Sequence, residues 1–422
     1  MVAGVALVPN WSAGAAVTDD PTVDAATKAT FQKLADAVFT DRTQALVDDK
    51  SGKQGKKGQH QKLSARFSGK VSVSGTQSRH EDSALSQLRG RKTRLEQLGE
   101  KYSAGSTSVT LDATQVKGRN AKVAVTEKTT LTYAKVKGTE PKTTGFQAHH
   151  ELSFLADKHG HWQLTGIKDT DDGIAVNQVT PPAPVLPSNS VPTPTASAST
   201  TPSKAPTPTA TASASASPSK APTSPTTAPT SSAPATADDG NPPDAPKSST
   251  AKNAPANPKN LTSGTYDYKA MAAYAQKYWS NYNPDYPNFN GQGAGGDCTN
   301  FVSQSLKAGG WKHVPGYTDD FHNWFGTADI QSDSFIGVNE FSWFALSSKR
   351  VTSLPYVYQL DVGDVLQMDF DRDGSKDHSM IVTYRSPEGV PYVSYHSTNT
   401  YNRSVASLIA SYPNANYYAY RT

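Results

Sequence analysis

The chain has 422 residues, a net charge of +4, 18% charged and 35% hydrophobic residues, and one cysteine. That balance excludes an internal disulfide and gives no overall basic field for nucleic acid; no run of about 18 apolar residues is present to span a membrane. At roughly 150 residues per domain there is room for two or three.

Residues 1–19 begin with an apolar run, Val2 to Val8, followed by small residues from Ser12 to Ala16. They resemble the tail of a secretion signal without its basic n-region, so an exported protein is expected, with a non-exported N-terminus as the alternative. Residues 20–175 read as an α+β domain. Apolar residues at helical spacing place helices over 27–48 (Phe31, Leu34, Ala35, Val38, Phe39) and 81–102 (Leu85, Leu88, Leu95, Leu98). Alternation then places strands over 108–113, 121–133, 145–155 and 162–169. The order resembles the cone-shaped folds of the SnoaL-like kind, with no motif to support it. The basic run 53–70 reads as a solvated loop or as a contact for an anionic polymer such as a cell wall. His149 and His150 are neighbours in a strand and point to opposite faces, so they cannot share one ion; one solvated and one packed imidazole is expected.

Residues 176–262 collapse into Pro, Thr, Ser and Ala with near-repeats. Such a segment buries too little apolar area to offset ordering entropy, and is expected to be a disordered linker reaching on the order of 200 Å. Its composition also suits an O-glycosylated stalk.

Residues 263–422 carry the chemistry. A helix over 266–279 precedes an aromatic, Pro- and Gly-rich loop, and then the string GGDCTNFVSQSLKAGGW. Phe301, Val302 and Leu306 follow Cys298 at helical spacing and Gly309-Gly310 is a stop, so the cysteine falls in the first turn of a helix, where free N–H groups and the helix dipole favour a thiolate. A small buried filler is the bland alternative for a lone cysteine. Strands are expected over 365–370, 378–384, 392–397 and 417–421, an α+β plan also used by papain-like cysteine hydrolases. A cysteine nucleophile needs an imidazole partner, and His378 and His396 are the histidines on these strands. If the two strands form a hairpin, both imidazoles fall near one end of it and one can orient the other. His313 and His322 read as loop residues.

GGDCTNFVSQ, preceded by a Tyr-rich amphipathic helix and followed by GDVLQMDFDRDGSKDHSMIVT and YVSYHSTNT, resembles the putative amidase domain family of secreted bacterial proteins, related to NlpC-type and CHAP-type wall hydrolases. The resemblance covers about 266–420. It implies a papain-like fold and a cysteine amidase or peptidase, with Cys298 as nucleophile and His378 as base. The third polar residue would be His396, as in NlpC-type enzymes, or Asn399, the nearest candidate for the CHAP-type plan. Asp297, Asn300 and Trp324 are assigned to the oxyanion site or the substrate cleft, the latter together with the aromatic loop 279–289.

Within this region Asp369, Asp371, Asp373 and Asp377 occupy positions 1, 3, 5 and 9 of a calcium-loop pattern with Gly374 at position 6, but Met380 stands where the bidentate Glu belongs. A structural calcium is therefore one expectation and a plain Asp-rich turn the other, and no cofactor is required for the chemistry. Taken together, the sequence reads as a secreted, wall-associated, monomeric amidase acting on peptidoglycan or wall peptides. The alternatives are a non-catalytic wall-binding module of the same fold, or an amidase for other peptides or small amides.

Overall fold

The computed structural model describes residues 23–47, 71–171, 173, 175–179, 242, 244–262, 264–290 and 296–422. The signal-like segment 1–19, the basic run 53–70 and the Pro-rich stretch 180–241 lie outside them. The described residues up to 179 and from 244 onward cluster as one unit.

Helix α1, Ala25–Gln44, starts where the Asp24 side chain accepts from Thr27 N at 2.7 Å, and it buries the expected Phe31, Leu34, Ala35, Val38 and Phe39. Helix α2 runs over Gly75–Gln97, six residues earlier than apolar spacing predicts. Its first turns bury polar residues instead: Glu81 takes both Nε and Nη2 of Arg42, at 2.9 and 2.8 Å, and Gln77 donates to the same carboxylate. An ion pair there satisfies a face that hydrophobic periodicity does not register. Four long strands follow, β2 (Tyr102–Lys117), β3 (Asn120–Tyr133), β4 (Thr143–Ala156) and β5 (Trp162–Asp169), joined antiparallel in sequence order; short β1, Val71–Val73, adds parallel to β5.

In the C-terminal half, helix α3 is Tyr268–Tyr278 and α4 is Cys298–Ala308; α5 (Asp333–Ile336) and α6 (Val338–Ser347) follow. Strands β6 (Thr352–Leu354), β7 (Val365–Asp369), β8 (His378–Arg385), β9 (Pro391–Tyr395) and β10 (Thr400–Ser404) come next, then α7 (Val405–Ser411) and β11 (Asn416–Arg421). The main strand path is β1-β5-β4-β10-β9-β8-β7-β11-β6, with β3 and then β2 on the other edge of β4. This is a mixed α+β arrangement.

Both faces of the C-terminal strands are covered, which is why β7 and β9 are buried at every position. Val365, Ile381, Tyr418 and Tyr420 face α3, α4 and α6 through Met271, Phe301, Val302 and Phe344. Leu366, Met368, Met380, Val382, Val393 and Tyr395 face α7 through Val405 and Leu408. Each fully buried side chain of this kind is worth about 1.5–3 kcal/mol.

The two halves share one sheet because β4 is longer than its hairpin partner. Its far end pairs Phe146 with Thr400 and Gly145 with Tyr401 of β10. Gly145 is required there: a Cβ would press on the Tyr401 ring and the Thr129 carbonyl. A common core containing Leu88, Leu95, Tyr102, Phe146 and Val176 from one half and Tyr392, Ala406 and Ala410 from the other seals the junction. Residues 244–262, assigned to the linker by composition, also pack on the C-terminal sheet: Ser248 N donates to the Tyr417 carbonyl, and buried Lys259 binds Asp364 at 2.7 Å.

His149 and His150 part as strand alternation requires, His149 half-buried against Asp171 and His150 buried between Asp169 at 2.7 Å and Glu127 at 3.1 Å. Burial disfavours the His150 cation, but the bonds to both carboxylates outweigh it and raise the pKa from 6.5 to about 9. Its contribution to stability is therefore fully present below pH 6.5 and lost as pH rises through about 9. Urea unfolding of the protein and of His150→Gln should show a stability difference that shrinks steadily over that interval; a constant difference would contradict the assignment.

Candidate functional site

Cys298 opens α4 and is 1% exposed. Its sulfur lies 3.8 Å from Thr299 Oγ1 and accepts from the Ser379 N–H, so it rests against the peptide unit that joins His378 to Ser379. The Ser379 hydroxyl completes the seat, 2.9 Å from Thr299 Oγ1 and 3.0 Å from Gln367 Nε2. Burial pushes the thiol pKa up, against the bonds from Ser379 and Thr299.

Asp297 occupies the N-cap position yet makes no side-chain cap. Its carboxylate, fully buried, accepts from Phe289 N at 3.0 Å, from Asn300 Nδ2 at 2.8 Å and from His396 Nδ1 at 2.6 Å. Helices α1, α2, α3 and α7 all begin with a side-chain oxygen capping a first-turn amide. At α4 the N-cap side chain makes no such bond.

His396 is sandwiched between Phe301, with centroids 4.0 Å apart, and Tyr282 at 4.2 Å. Its Nε2 lies 2.8 Å from the Tyr278 carbonyl and its Nδ1 faces Asp297, so both ring nitrogens meet acceptors. His378 packs differently. Its ring stands edge-on to Tyr395 at 4.9 Å and lies 6.1 Å from Phe370, and burial together with the Arg403 charge pushes its pKa down to about 3.

The expectation that one imidazole orients the other fails for a simple reason. Ile381 pairs with Ser394, so His378 and His396 are out of step by one residue and project to opposite faces of the sheet. His396 shares the face of α4, whereas His378 lies with Tyr395 on the α7 side. Among the described residues no hydrogen bond joins the Cys298 sulfur to either ring. Asn399 does not orient His378 either: its Oδ1 accepts from Tyr282 Oη at 2.8 Å and its carbonyl from Gln147 N at 3.0 Å.

Of the residues assigned to the cleft or oxyanion site, Asp297 and Asn300 are buried beside the cysteine, Asn300 tying the helix to the Pro287 carbonyl at 2.9 Å. Trp324 is corrected to a core residue: it is fully buried among Trp311, Phe335 and Phe344, with its N–H on Ser303 Oγ at 3.2 Å. Ser379 escaped the sequence reading although it adjoins His378. Strand alternation, applied from the cysteine helix outward, would have placed it on the α4 face.

In the acidic turn, carboxylate oxygens of Asp369, Asp371 and Asp373 lie within 4.8 Å of one another. Asp377 is turned away to accept from Phe370 N at 2.6 Å. The turn is also braced internally, Asp369 accepting from Arg372 N and from Asn416 Nδ2.

Residues 265–420 match the family described as "Putative amidase domain". Two proteins of Bacillus subtilis (strain 168) are similar over part of their length, both described as uncharacterized. YhbB is 31% identical over 131 residues, which is 30% of this chain and 40% of that protein. YjcM is 33% identical over 149 residues, 33% of this chain and 32% of that protein. The matched region thus spans well under half of each relative. Among solved structures, the intermembrane space region of chloroplast protein ARC6 aligns with 33% of this chain and 95% of its own, at 14% identity and a TM-score of 0.19.

The Asp297–His396 pair makes a measurable commitment. Removing one partner of a buried hydrogen-bonded pair leaves the other unsatisfied and typically costs about 1–3 kcal/mol. Asp297→Ala and His396→Ala should each lower the unfolding free energy by that order, and the double variant by much less than the sum; additive losses would show that the two do not act as a pair.

Proposed function

Starting from residues 265–420 as an amidase domain, we propose that the chain is a cysteine-dependent amide hydrolase with Cys298 as its nucleophile. One observation carries this reading: the sulfur sits at the uncapped start of α4, takes the N–H of Ser379, and so lies beside the backbone of His378. A thiol at a helix start with a backbone donor and a histidine one peptide away has the parts of an activated nucleophile. The arrangement is then a papain-like one, a cysteine helix packed on an antiparallel sheet that carries the base.

In the reaction the thiol proton passes to His378, which as the first residue of β8 has to move with the strand end to bring its ring from the α7 face of the sheet to the sulfur. The thiolate attacks the amide carbon, and the first-turn amides of α4 receive the oxyanion. The C–N bond breaks as His378 returns the proton to the departing amine, leaving a thioester. Water then adds with its proton going to His378, the C–S bond breaks, and a carboxylic acid and the free thiol result. Asp297 and His396 hold the start of α4 in place and take no part in proton transfer.

The substrate class follows from sequence features outside the site. A secretion-like start and a Pro-rich stretch long enough to thread a wall suit a secreted enzyme acting on peptide or sugar-to-peptide amides of peptidoglycan. Fragments released from purified cell wall, identified by mass spectrometry, name the bond cut. Cys298→Ala should lower their release at least about a thousandfold in a protein that still folds, and full release by that variant would remove the nucleophile assignment.

A structural calcium in the turn before β8 belongs to the same proposal. Asp369, Asp371 and Asp373 offer hard oxygen ligands and would stiffen the approach to His378 without entering the chemistry. Millimolar calcium should raise the melting temperature of the full chain by at least about 2 °C over chelator, and no rise would dismiss the ion.

A further inference from the structure

We propose that the seam between the two halves holds a second binding site, separate from Cys298, for a short zwitterionic peptide: one with a free ammonium and a free carboxylate on an aliphatic body. A cavity of about 580 Å³ lies there, within the size range of sites that enclose small ligands. Its wall draws on both halves. The end of α2 with the turn after it and the β3–β4 connection come from one, and the β8–β9 hairpin, Lys252 and Ala406 come from the other. Strand β8 runs from His378, beside the sulfur, to Arg385, and Ser386 lines the cavity; at about 3.3 Å per residue the two sites stand roughly 25 Å apart.

The lining combines an apolar patch, Leu98, Val390, Tyr392 and Ala406, with charges of both signs. Some of these charges are spent on building the wall. Lys137 Nζ binds Glu388 at 2.6 Å and the Lys137 N–H donates to Glu140 Oε2 at 2.7 Å, which ties the β3–β4 connection to the β8–β9 hairpin. Lys252 Nζ donates to the Leu98 carbonyl at 2.9 Å. Others are not spent. Among the described residues no hydrogen bond or ion pair engages the side chain of Lys135 or Glu96, and both residues are exposed. Glu100 accepts from Ser404 Oγ at 2.6 Å, yet burial pushes its carboxyl up to about 7 against that bond and the Lys252 charge. That is a carboxylate short of donors.

A ligand of one sign meets a like charge in the same space, whereas a peptide with its ammonium and carboxylate apart can place the first against Glu96 and Glu100 and the second against Lys135. Its aliphatic body then covers Leu98 and Val390. Every amide cut frees one amine and one carboxylate, so peptide ends of this kind surround an amide hydrolase at work. The seam site holds such an end and keeps the chain on its substrate. It needs nothing from Cys298, and it stands whether or not that residue is the nucleophile.

The test is isothermal titration calorimetry of the full chain carrying Cys298→Ala, so that no peptide is cut, with the tetrapeptide Ala-Glu-Lys-Ala, its termini free, as the probe. It should bind with a Kd at or below about 1 mM. Lys135→Glu and Glu96→Lys, both at exposed positions where the melting transition is kept, should each weaken binding at least about tenfold. The same peptide acetylated, amidated and carrying Gln in place of Glu and Lys should not bind. Absence of binding by the charged peptide overturns the site, and so does equal binding of the uncharged one. Binding that neither substitution weakens places the peptide elsewhere and overturns it too. A chain that binds the peptide at the seam but in its unaltered form releases no wall fragments keeps this site and loses the amide-hydrolase reading instead.

Discussion

The carboxylate of Asp297 is the constraint on which the site depends. It is fully buried, and a buried polar group is tolerated only when its hydrogen-bonding capacity is filled. Its three donors come from three places in the chain: the aromatic loop at Phe289, the first turn of α4 at Asn300 and the end of β9 at His396. Satisfying one group therefore fixes a loop, a helix start and a strand end against one another. It also accounts for the uncapped helix, since the carboxylate is turned toward Phe289, Asn300 and His396 and away from the first-turn amides. The missing N-cap bond beside Cys298 is a consequence of where Asp297 points.

What the sequence disclosed and what it withheld divide along the range of the forces involved. The cysteine helix was legible because Phe301, Val302, Leu306 and the Gly309-Gly310 stop are all local, and Gly310 does take the left-handed φ of 104° that ends a helix. The four final strands were legible for the same reason. The relation between His378 and His396 was not, because it turns on a register: Ile381 opposite Ser394 puts the rings on opposite faces, and a shift of one residue would have put them together. Trp324 looked like a cleft residue because aromatic side chains suit both roles, and only packing against Trp311 and Phe344 distinguishes them. Short β10 and α7 carried too little periodicity to be seen.

The union of the two halves was equally hidden. Composition shows a Pro-rich stretch, and a chain so divided suggests independent domains. Yet β4 continues past its partner β5 and offers a free edge at Gly145 and Phe146, which β10 occupies. An unpaired edge is costly to leave exposed, so the pairing protects the N-terminal sheet while extending the C-terminal one. Residues Ala175 and Val176 enter the shared core with Tyr392 and Ala406. Long-range pairing of this kind has no local signature in either partner.

The electrostatics of Cys298 and His378 follow from the same two-faced packing of the sheet. Burial raises the Cys298 thiol and lowers the His378 imidazole, the latter with help from Arg403, so both groups are neutral around pH 7. A neutral thiol and a neutral imidazole react only if the proton passes from sulfur to ring, which requires the two to meet. In this arrangement the sulfur has Ser379 and Thr299 for company, and the ring has Tyr395 and Phe370. Burial is the first cause of both shifts, acting on opposite faces of the sheet. Each group is thus kept neutral by its own side of the sheet, Cys298 under α4 and His378 against Tyr395 on the α7 face, and the sheet that buries them also parts them.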